Sequence, residues 1–162
     1  MKISTRTRYA VRILVELALK EDHGPVQVKK ITPDHNIPLK YREQLLRQLR
    51  LAGFVKSVRG PKGGYLLQRK PERISLGQIA MLFEGQMDLV DCANAPEKCR
   101  MADECPVRPA WREVSRILYE TLDAISIADL INNQKKTSAL PVMEDHAELR
   151  TQLASRELEP VS

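Results

Sequence analysis

Residues 37–67 read IPLKYREQLLRQLRLAGFVKSVRGPKGGYLL, and this stretch decides the fold of the chain. Its first half has apolar residues spaced by four, four and three, which is the pattern of one face of a helix with roughly 3.6 residues per turn. Pro38 suits the start of that helix, and Gly53 suits its C-terminal cap. The apolar face consists of Tyr41, Leu45, Leu49 and Ala52, and the opposite face of Lys40, Glu43, Gln44, Arg47 and Arg50.

A short hairpin is predicted directly after this helix. Residues 54–58 and 65–67 favour strands, and the turn between them reads RGPKGG, with the cations Arg59 and Lys62 on either side of its proline. A helix with a basic exposed face is most often simply solvated, but the basic hairpin that follows it favours nucleic-acid binding. The predicted fold is mainly α with a small β wing, namely a winged helix-turn-helix followed by a long helix.

Further elements are predicted on both sides of this stretch. Ser4, Ser75 and Ser126 are each suited to cap the start of a helix, because a serine side chain accepts a hydrogen bond from an unpaired N–H of the first turn. We expect Leu82 and Phe83 in the core. The predicted helices are 5–20, 29–35, 76–83, 107–125 and 127–131, with an edge strand at 26–28 and the turn of the helix-turn-helix at 36–38.

The predicted helix 107–125 has apolar residues at a period near 3.5, which is typical of a helix that packs against another long helix. No second helix of that length is predicted, so pairing with a second copy is the simplest way to cover the stripe, and we expect a homodimer. The expected organisation is a DNA-binding region at 1–73, a cysteine loop and dimerisation helices at 74–133, and a disordered tail at 134–162. The stripe consists of Val107, Trp111, Val114, Leu118, Leu122 and Ile125.

Charge is unevenly distributed along the chain. Residues 1–73 contain 17 Lys and Arg against 6 Asp and Glu, a net +11, whereas residues 74–162 contain 9 against 15, a net −6. This asymmetry suggests a polyanionic partner for the first part only, and phosphate neutralisation dominates non-specific affinity for DNA. No apolar run is long enough to span a bilayer, and no cleavage site follows the basic N-terminus. We therefore expect a cytoplasmic protein without a membrane partner.

The three cysteines of the chain, Cys92, Cys99 and Cys105, lie within 14 residues. Their odd number excludes a closed set of disulfides within one chain, and thiolates bind zinc or iron–sulfur clusters, which usually need four ligands. A metal or cluster site is favoured, while free structural thiols and a thiol redox sensor stay open. Candidates for the fourth ligand are Asp91, Glu97, Asp103, Glu104 and, from elsewhere in the fold or from a partner chain, His35.

Catalytic motifs are missing from the sequence. It contains no Ser-His-Asp arrangement, no Walker loop and no dinucleotide fingerprint. We therefore expect a protein that is not an enzyme and has no small-molecule substrate.

Residues from about 1 to 133 resemble the bacterial winged-helix regulators that include the iron–sulfur cluster regulator IscR, the nitric-oxide sensor NsrR and the iron regulator RirA. The resemblance implies a homodimer on double-stranded operator DNA, with the helix at 38–51 in the major groove and Arg59 in the minor groove. It is carried by RYAV at 8–11, YREQL at 41–45, VRGPKGGYL at 58–66, the three cysteines, AW at 110–111 and ADLINNQ at 128–134.

Contacts to DNA follow from this resemblance and from the predicted helix face. The resemblance implies that Tyr41, Glu43 and Gln44 contact bases or backbone. We add Lys40, Arg47 and Lys62 as phosphate contacts, because they are cations on the exposed helix face and at the wing.

The resemblance also implies that Cys92, Cys99 and Cys105 hold an iron–sulfur cluster, either [2Fe–2S] or [4Fe–4S]. Some members have a histidine three residues after the third cysteine, where this chain has Arg108, and others use an acidic residue near position 8 of the partner subunit, where this chain has Arg8. One branch uses a histidine at the start of the turn, which matches His35. We therefore expect His35 from the partner chain as the fourth ligand.

The function expected from these observations is a homodimeric repressor whose operator affinity is controlled by a cluster that senses redox state, nitric oxide or iron and cluster status. A first alternative keeps DNA binding and replaces the cluster with thiol or zinc chemistry. A second alternative is an iron–sulfur assembly or electron-transfer protein, which leaves the +11 charge of residues 1–73 without a role.

Overall fold

The computed structural model describes residues 2–31, 37–93, 95, 97, 99–101 and 104–135. Within them the chain forms helices α1 (Thr5–Leu19), α2 (Leu39–Leu51), α3 (Leu76–Glu84), α4 (Arg108–Asp123) and α5 (Ile127–Lys135), and strands β1 (Val55–Val58) and β2 (Gly64–Leu67). Short 3₁₀ turns lie at Glu21–His23, Val28–Lys30, Pro71–Arg73 and Asp91–Ala93. The internal contacts divide the chain into Met1–Ile131 and Asn132–Ser162, and of the second unit only residues 132–135 are described.

Helix α2 and the hairpin confirm the predicted mainly α fold with a small β wing. Leu45 and Leu49 are buried as the spacing predicts, and Leu46 is buried beside them, so the apolar face is wider than expected. Pro38 is the residue just before the helix, and its carbonyl accepts from the Tyr41 and Arg42 N–H groups, both at 3.0 Å. Gly53 follows the helix with φ of 72°, a conformation that glycine adopts at little cost.

The wing is an antiparallel pair in which Val55 lies opposite Leu67 and Val58 opposite Gly64. The predicted edge strand at 26–28 is reduced to one bridge, because the chain turns into a 3₁₀ turn at Val28. In that bridge the Val26 N–H donates to the Tyr65 carbonyl and the Tyr65 N–H to the Val26 carbonyl, each at 2.9 Å.

The core is mainly aliphatic and gathers the apolar faces of several elements. The apolar residues of α1 pack with residues of α2, the wing and α3. Phe83 is buried as predicted, but the prediction for Leu82 is wrong, since 37% of its surface is exposed. Successive residues of a helix differ by about 100° in direction, so one apolar neighbour faces the core while the other faces away. Fully buried members include Ile13, Leu14, Leu17, Ile31, Leu45, Leu46, Leu49, Ile74, Ile79 and Ile127.

Helices α3 and α4 meet at a close backbone contact. A Cβ on Gly77 would lie 2.8 Å from the Asp123 Cα, which is closer than two non-bonded carbon atoms approach. The Ser75 hydroxyl donates to the Asp123 carboxylate and also accepts from the Gln78 N–H at 3.1 Å, which confirms Ser75 as the cap of α3. These contacts fix the end of α4 against the start of α3.

The predicted C-terminal helices are confirmed with different ends. Ser126 caps α5: its hydroxyl accepts from the Asp129 N–H at 3.1 Å, and its own N–H donates to the Asp129 carboxylate at 2.9 Å. This reciprocal cap lowers the pKa of Asp129 through the hydrogen bonds from Ser126. Helix α5 runs to Lys135, four residues beyond the predicted end at 131, and α4 begins at Arg108 and ends at Asp123.

Two predictions fall largely outside the described residues. Of the predicted helix 29–35, only residues 29–31 are described, and His35 is not among them. Of the predicted disordered tail at 134–162, residues 134 and 135 are instead the last two of α5, and the rest lies outside the described residues. Among the helices that are described, none combines the length and apolar composition that a membrane crossing requires.

Glu84, the last residue of α3, joins this helix to the start of α1. Its Oε1 accepts from the Ser4 N–H at 3.0 Å, from the Ser4 hydroxyl at 2.6 Å and from the Thr7 hydroxyl. Burial by itself would raise the pKa of Glu84, but these hydrogen bonds and the nearby charge of Arg6 outweigh it, and the pKa lies below its ordinary value. The native structure therefore favours the ionised carboxylate.

Replacing Glu84 with glutamine should make stability less dependent on pH. A lowered native pKa means that the carboxylate stabilises the fold above its ordinary pKa of 4.5, and that this contribution is lost as the pH falls through the native pKa. We expect E84Q to lower the free energy of unfolding at neutral pH by about 1 kcal/mol, a value reduced for solvent exposure. Urea unfolding from about pH 7 to about pH 3 should show a shallower acid loss than in the wild type.

Glu72→Gln is the control, because it removes a carboxylate from an exposed position. It should change stability by less than about 0.5 kcal/mol. Equal pH profiles for wild type and E84Q would contradict the assignment of Glu84.

Candidate nucleic-acid interface and cysteine segment

One face of α2 is free for a partner. The side chains of Lys40, Glu43, Gln44 and Arg47 are exposed, and none of them has a hydrogen bond or ion pair with another described residue. Their donors and acceptors are thus available to phosphates and base edges, which are the two kinds of group that a helix meets in a major groove. The predicted division of α2 into an apolar and a basic face is confirmed.

Tyr41 lies between these two faces. Its ring is half-buried and packs edge-on against Tyr9 of α1, with ring centroids 6.2 Å apart and planes at 83°. The Arg12 guanidinium lies over the other ring of this pair, 5.7 Å from the Tyr9 centroid. Tyr41 therefore helps to hold α2 against α1, and its contact to DNA stays a prediction.

The tip of the wing presents Arg59 and Lys62 to solvent. Gly60 has φ of 115°, and its carbonyl accepts from the Gly63 N–H at 2.9 Å, which closes the turn. A Cβ on Gly63 would lie 2.2 Å from the Val58 carbonyl oxygen, so this tight turn requires glycine there. The turn separates the two cations by a short, well-defined backbone and keeps both side chains outside the core.

Arg42 is a residue that the helical pattern did not single out. Its Nη1 donates to the Ile31 carbonyl at 2.6 Å and to the Val28 carbonyl at 3.1 Å, with a longer contact of 3.4 Å to the Lys29 carbonyl. Arg42 lies beside Tyr41 and three residues before Leu45, which puts it at the edge of the apolar face. That position is the one sequence feature that could have suggested a contact of Arg42 with the rest of the protein. The sequence does not indicate which backbone carbonyls the side chain binds.

The first part of the cysteine segment, residues 85–93, is attached to α4. The Leu89 N–H donates to the Ser115 hydroxyl at 3.0 Å, and the Arg108 Nε donates to the Cys92 carbonyl at 2.9 Å. Met87 and Ala93 are buried. Cys92 lies in the 3₁₀ turn Asp91–Ala93, so its backbone is held at a defined place beside the first turn of α4.

The three thiols fit a cluster by their chemistry, but the structure does not gather them. Cys92, Cys99 and Cys105 are all half-buried and free of disulfides, and soft thiolates are the ligands that iron–sulfur clusters use. Within the described part of the chain, no three His, Cys, Asp or Glu side chains converge where they could hold a metal. His35 and Asp103 lie outside that part.

Two arginines occupy positions at which some members of the resembled family have a ligand. The Arg108 side chain binds the Cys92 carbonyl, and a guanidinium stays protonated in proteins, so it offers no lone pair to a metal. Arg8 is exposed on α1 and donates to the Thr5 hydroxyl at 3.1 Å. Neither residue can replace a histidine or carboxylate ligand.

A winged-helix fold with an exposed basic helix and wing is typical of DNA-binding transcription regulators. The family model for Rrf2, described as iron-dependent transcriptional regulators, matches residues 3–133. The chain belongs to the Rrf2 family of transcription regulators, which are not enzymes.

Individual proteins similar to this chain include IscR and CymR. The HTH-type transcriptional regulator IscR of Erwinia tasmaniensis is 36% identical over 135 residues, which are 83% of this chain and 81% of that protein. Among solved structures, IscR of T. potens has a TM-score of 0.67 and 32% identity, covering 90% of this chain and 97% of that one. CymR, the global cysteine regulator of B. subtilis, has a TM-score of 0.68 and 37% identity, covering 82% and 97%.

Proposed function

We propose that the protein is a homodimeric repressor that reads an operator with α2 and the wing, and whose affinity is controlled by an iron–sulfur cluster on the cysteine segment. The observation that carries the proposal is that one folded unit presents a basic surface on α2 and the wing without internal partners and, between α3 and α4, a segment with three free thiols. Chemistry at those thiols and DNA binding can then be linked through the fold.

The reading surface combines two elements that suit different parts of a duplex. Glu43 and Gln44 are exposed in the first half of α2, where side chains of a recognition helix meet base edges in the major groove. Lys40, Arg47 and Lys62 supply phosphate contacts, and Arg59 suits a minor groove with its strong negative potential. Together they give the DNA-contacting set Lys40, Tyr41, Glu43, Gln44, Arg47, Arg59 and Lys62.

Replacing Arg59 with alanine should weaken binding to a duplex selected by the wild-type protein from a random pool. The lost minor-groove contact predicts a loss of about 1–3 kcal/mol at fixed salt. Arg112→Ala removes the same charge from α4, outside the proposed surface, and should bind nearly as the wild type. A mobility-shift titration in which both variants bind alike would contradict the role of the wing.

Helix α4 supports the dimer. Three members of its stripe are exposed, namely Val107 (55%), Trp111 (43%) and Val114 (47%), and the neighbouring Ile117 is 48% exposed. The polar face of the same helix carries Arg116, which pairs with Glu113 and Glu120. Large apolar side chains in a row on one face of a soluble protein mark an interaction surface, and a second copy of α4 would cover them.

Replacing Ile117 with aspartate should dissociate the dimer. A carboxylate buried without a partner at the interface should weaken association by at least about 100-fold. Arg116→Asp introduces the same group one residue earlier, on the charged face, and should stay dimeric. Sedimentation velocity distinguishes the two outcomes, and a wild-type protein that is monomeric throughout would contradict the proposal.

Cys92, Cys99 and Cys105 are the residues that would hold the cluster, with His35 from the partner chain as the fourth ligand. When bound, a cluster supplies a redox-active centre that oxidants, nitric oxide or iron supply can alter. The segment that carries the thiols must close to bring them together, since they do not converge in the described structure. Arg108 holds Cys92 near α4 and thereby limits how far this closure moves its backbone.

A continuous series of contacts gives the control of DNA binding a physical route. Helix α4 holds the cysteine segment through Ser115 and joins α3 at Gly77 and Asp123. Helix α3 binds the start of α1 through Glu84, and Tyr9 of α1 packs on Tyr41 of α2. A change in the cysteine segment that shifts α4 can therefore reach the recognition helix through packed elements.

Replacing Cys92 with alanine should abolish the cluster. We expect protein purified without oxygen to show visible absorption with bound iron and sulfide, and C92A to lose all three. Gln86→Ala, in the same segment but with no ligand lost, should retain them. A wild-type protein that is colourless and iron-free, yet still binds its duplex and responds to oxidants, would instead support a thiol-based regulator, which the free and separated thiols favour as the second candidate.

A further inference from the structure

We propose that Arg42 is a positioning residue that fixes the recognition helix relative to the wing, and that it thereby sets the sequence specificity of DNA binding. The inference rests on the proposed reading surface. It assigns Arg42 no contact with DNA, which distinguishes it from the exposed arginine Arg47 on the same helix.

The side chain of Arg42 points back toward the segment that precedes α2. Its Nη1 contacts the carbonyls of Val28, Lys29 and Ile31, at the end of the 3₁₀ turn Val28–Lys30. Carbonyls at the end of a helical turn often lack backbone partners, and a cation satisfies them well. Of these three, the Val28 carbonyl also accepts from the Ile31 N–H at 3.2 Å. The Nε of Arg42 is buried and finds no partner among the described residues, so the base of the guanidinium is also turned inward.

Residues 26–31, which we call the strap, contact the wing at their other end. Val26 pairs with Tyr65 through two backbone hydrogen bonds of 2.9 Å. The Gln27 amide contacts the Pro61 carbonyl at the tip of the wing at 3.4 Å. A Cβ on Gly64 would lie 2.4 Å from the Val26 carbonyl oxygen, so strand and strap are in direct contact.

The six residues of the strap therefore contact both the wing and α2. The hydrogen bonds of Arg42 are its polar connection to α2. Val26 and Ile31 are buried at its two ends, and Val28 packs partly buried against the core. Hydrogen bonds also hold the turn between them, from Arg42 of α2 and from Lys20, whose Nζ donates to the Lys30 carbonyl at 3.2 Å. Specific binding requires α2 and the wing to meet two grooves of one duplex at a fixed spacing. Non-specific binding requires only cations near phosphates, and those cations do not depend on Arg42.

The test compares Arg42→Met, Arg42→Lys and Arg47→Met on two probes, the selected duplex and a duplex of scrambled sequence. We expect R42M to lower the ratio of the affinity for the selected duplex to that for the scrambled duplex about tenfold, because one charge-assisted contact is lost. The slope of log affinity against log salt concentration should stay unchanged, because Arg42 contacts no phosphate. R42K keeps the charge but presents a single ammonium, so it should restore part of the ratio. R47M should weaken both duplexes alike and reduce the salt slope by about one.

Amide hydrogen exchange supplies a readout on the free protein. In R42M and R42K the Val26, Ile31 and Tyr65 amides should exchange faster than in the wild type, while amides in the middle of α1 should not. If R42M does not fold, the affinity ratio and the amide exchange are both measured on R42K.

An R42M ratio equal to that of the wild type would overturn the proposal. If that unchanged ratio came with equal weakening on both duplexes and a reduced salt slope, Arg42 would be a phosphate contact instead. A wild-type protein with no preference for the selected duplex would overturn the proposed reading surface instead.

Discussion

The backbone pairing of Val26 with Tyr65 is the constraint on which the reading surface depends. A two-stranded hairpin is at best marginally stable alone, and four residues per strand bury little apolar area. The strap adds one further pair of backbone hydrogen bonds to the wing, and this is possible only because Gly64 has no side chain where the Val26 carbonyl approaches. These hydrogen bonds attach the wing to the strap, whose residues Val26 and Ile31 are part of the buried core.

A second close approach joins the reading half to the rest of the protein. Gly77 lets α3 lie directly against the end of α4, and Ser75 binds Asp123 at the same place. Beside them, the Ile127 N–H donates to the Ile74 carbonyl at 2.8 Å and the Leu76 N–H to the Ile125 carbonyl at 2.9 Å. Because packed elements of this kind move as units, a shift of α4 is expected to carry α3 with it. Through this joint, the cysteine segment and the exposed apolar face of α4 are connected to α3 and, through Glu84, to α1.

Local sequence signals were enough for elements whose determinants lie within a few residues. The serine caps at Ser4, Ser75 and Ser126, the burial of Leu45 and Leu49 and the strands of the wing follow from spacing and side-chain chemistry, and the structure confirms them. The prediction of a strand at 26–28 gave only a bridge, since the length of a strand depends on the partner that it finds. The prediction for Leu82 was wrong because its apolar side chain suggested burial, whereas its direction on α3 depends on which face of that helix meets the core.

The sequence by itself determined the class of fold, the basic face of α2, the cationic wing and the concentration of three thiols in one segment. These features depend on residue type and short-range periodicity, which are complete in the chain before it folds. Only the tertiary structure decided that Arg42 turns toward three backbone carbonyls, that Glu84 ties α3 to α1, and that Arg108 holds the Cys92 backbone. Those contacts join residues 11, 80 and 16 positions apart, and no local pattern encodes which distant backbone atom a long polar side chain will meet.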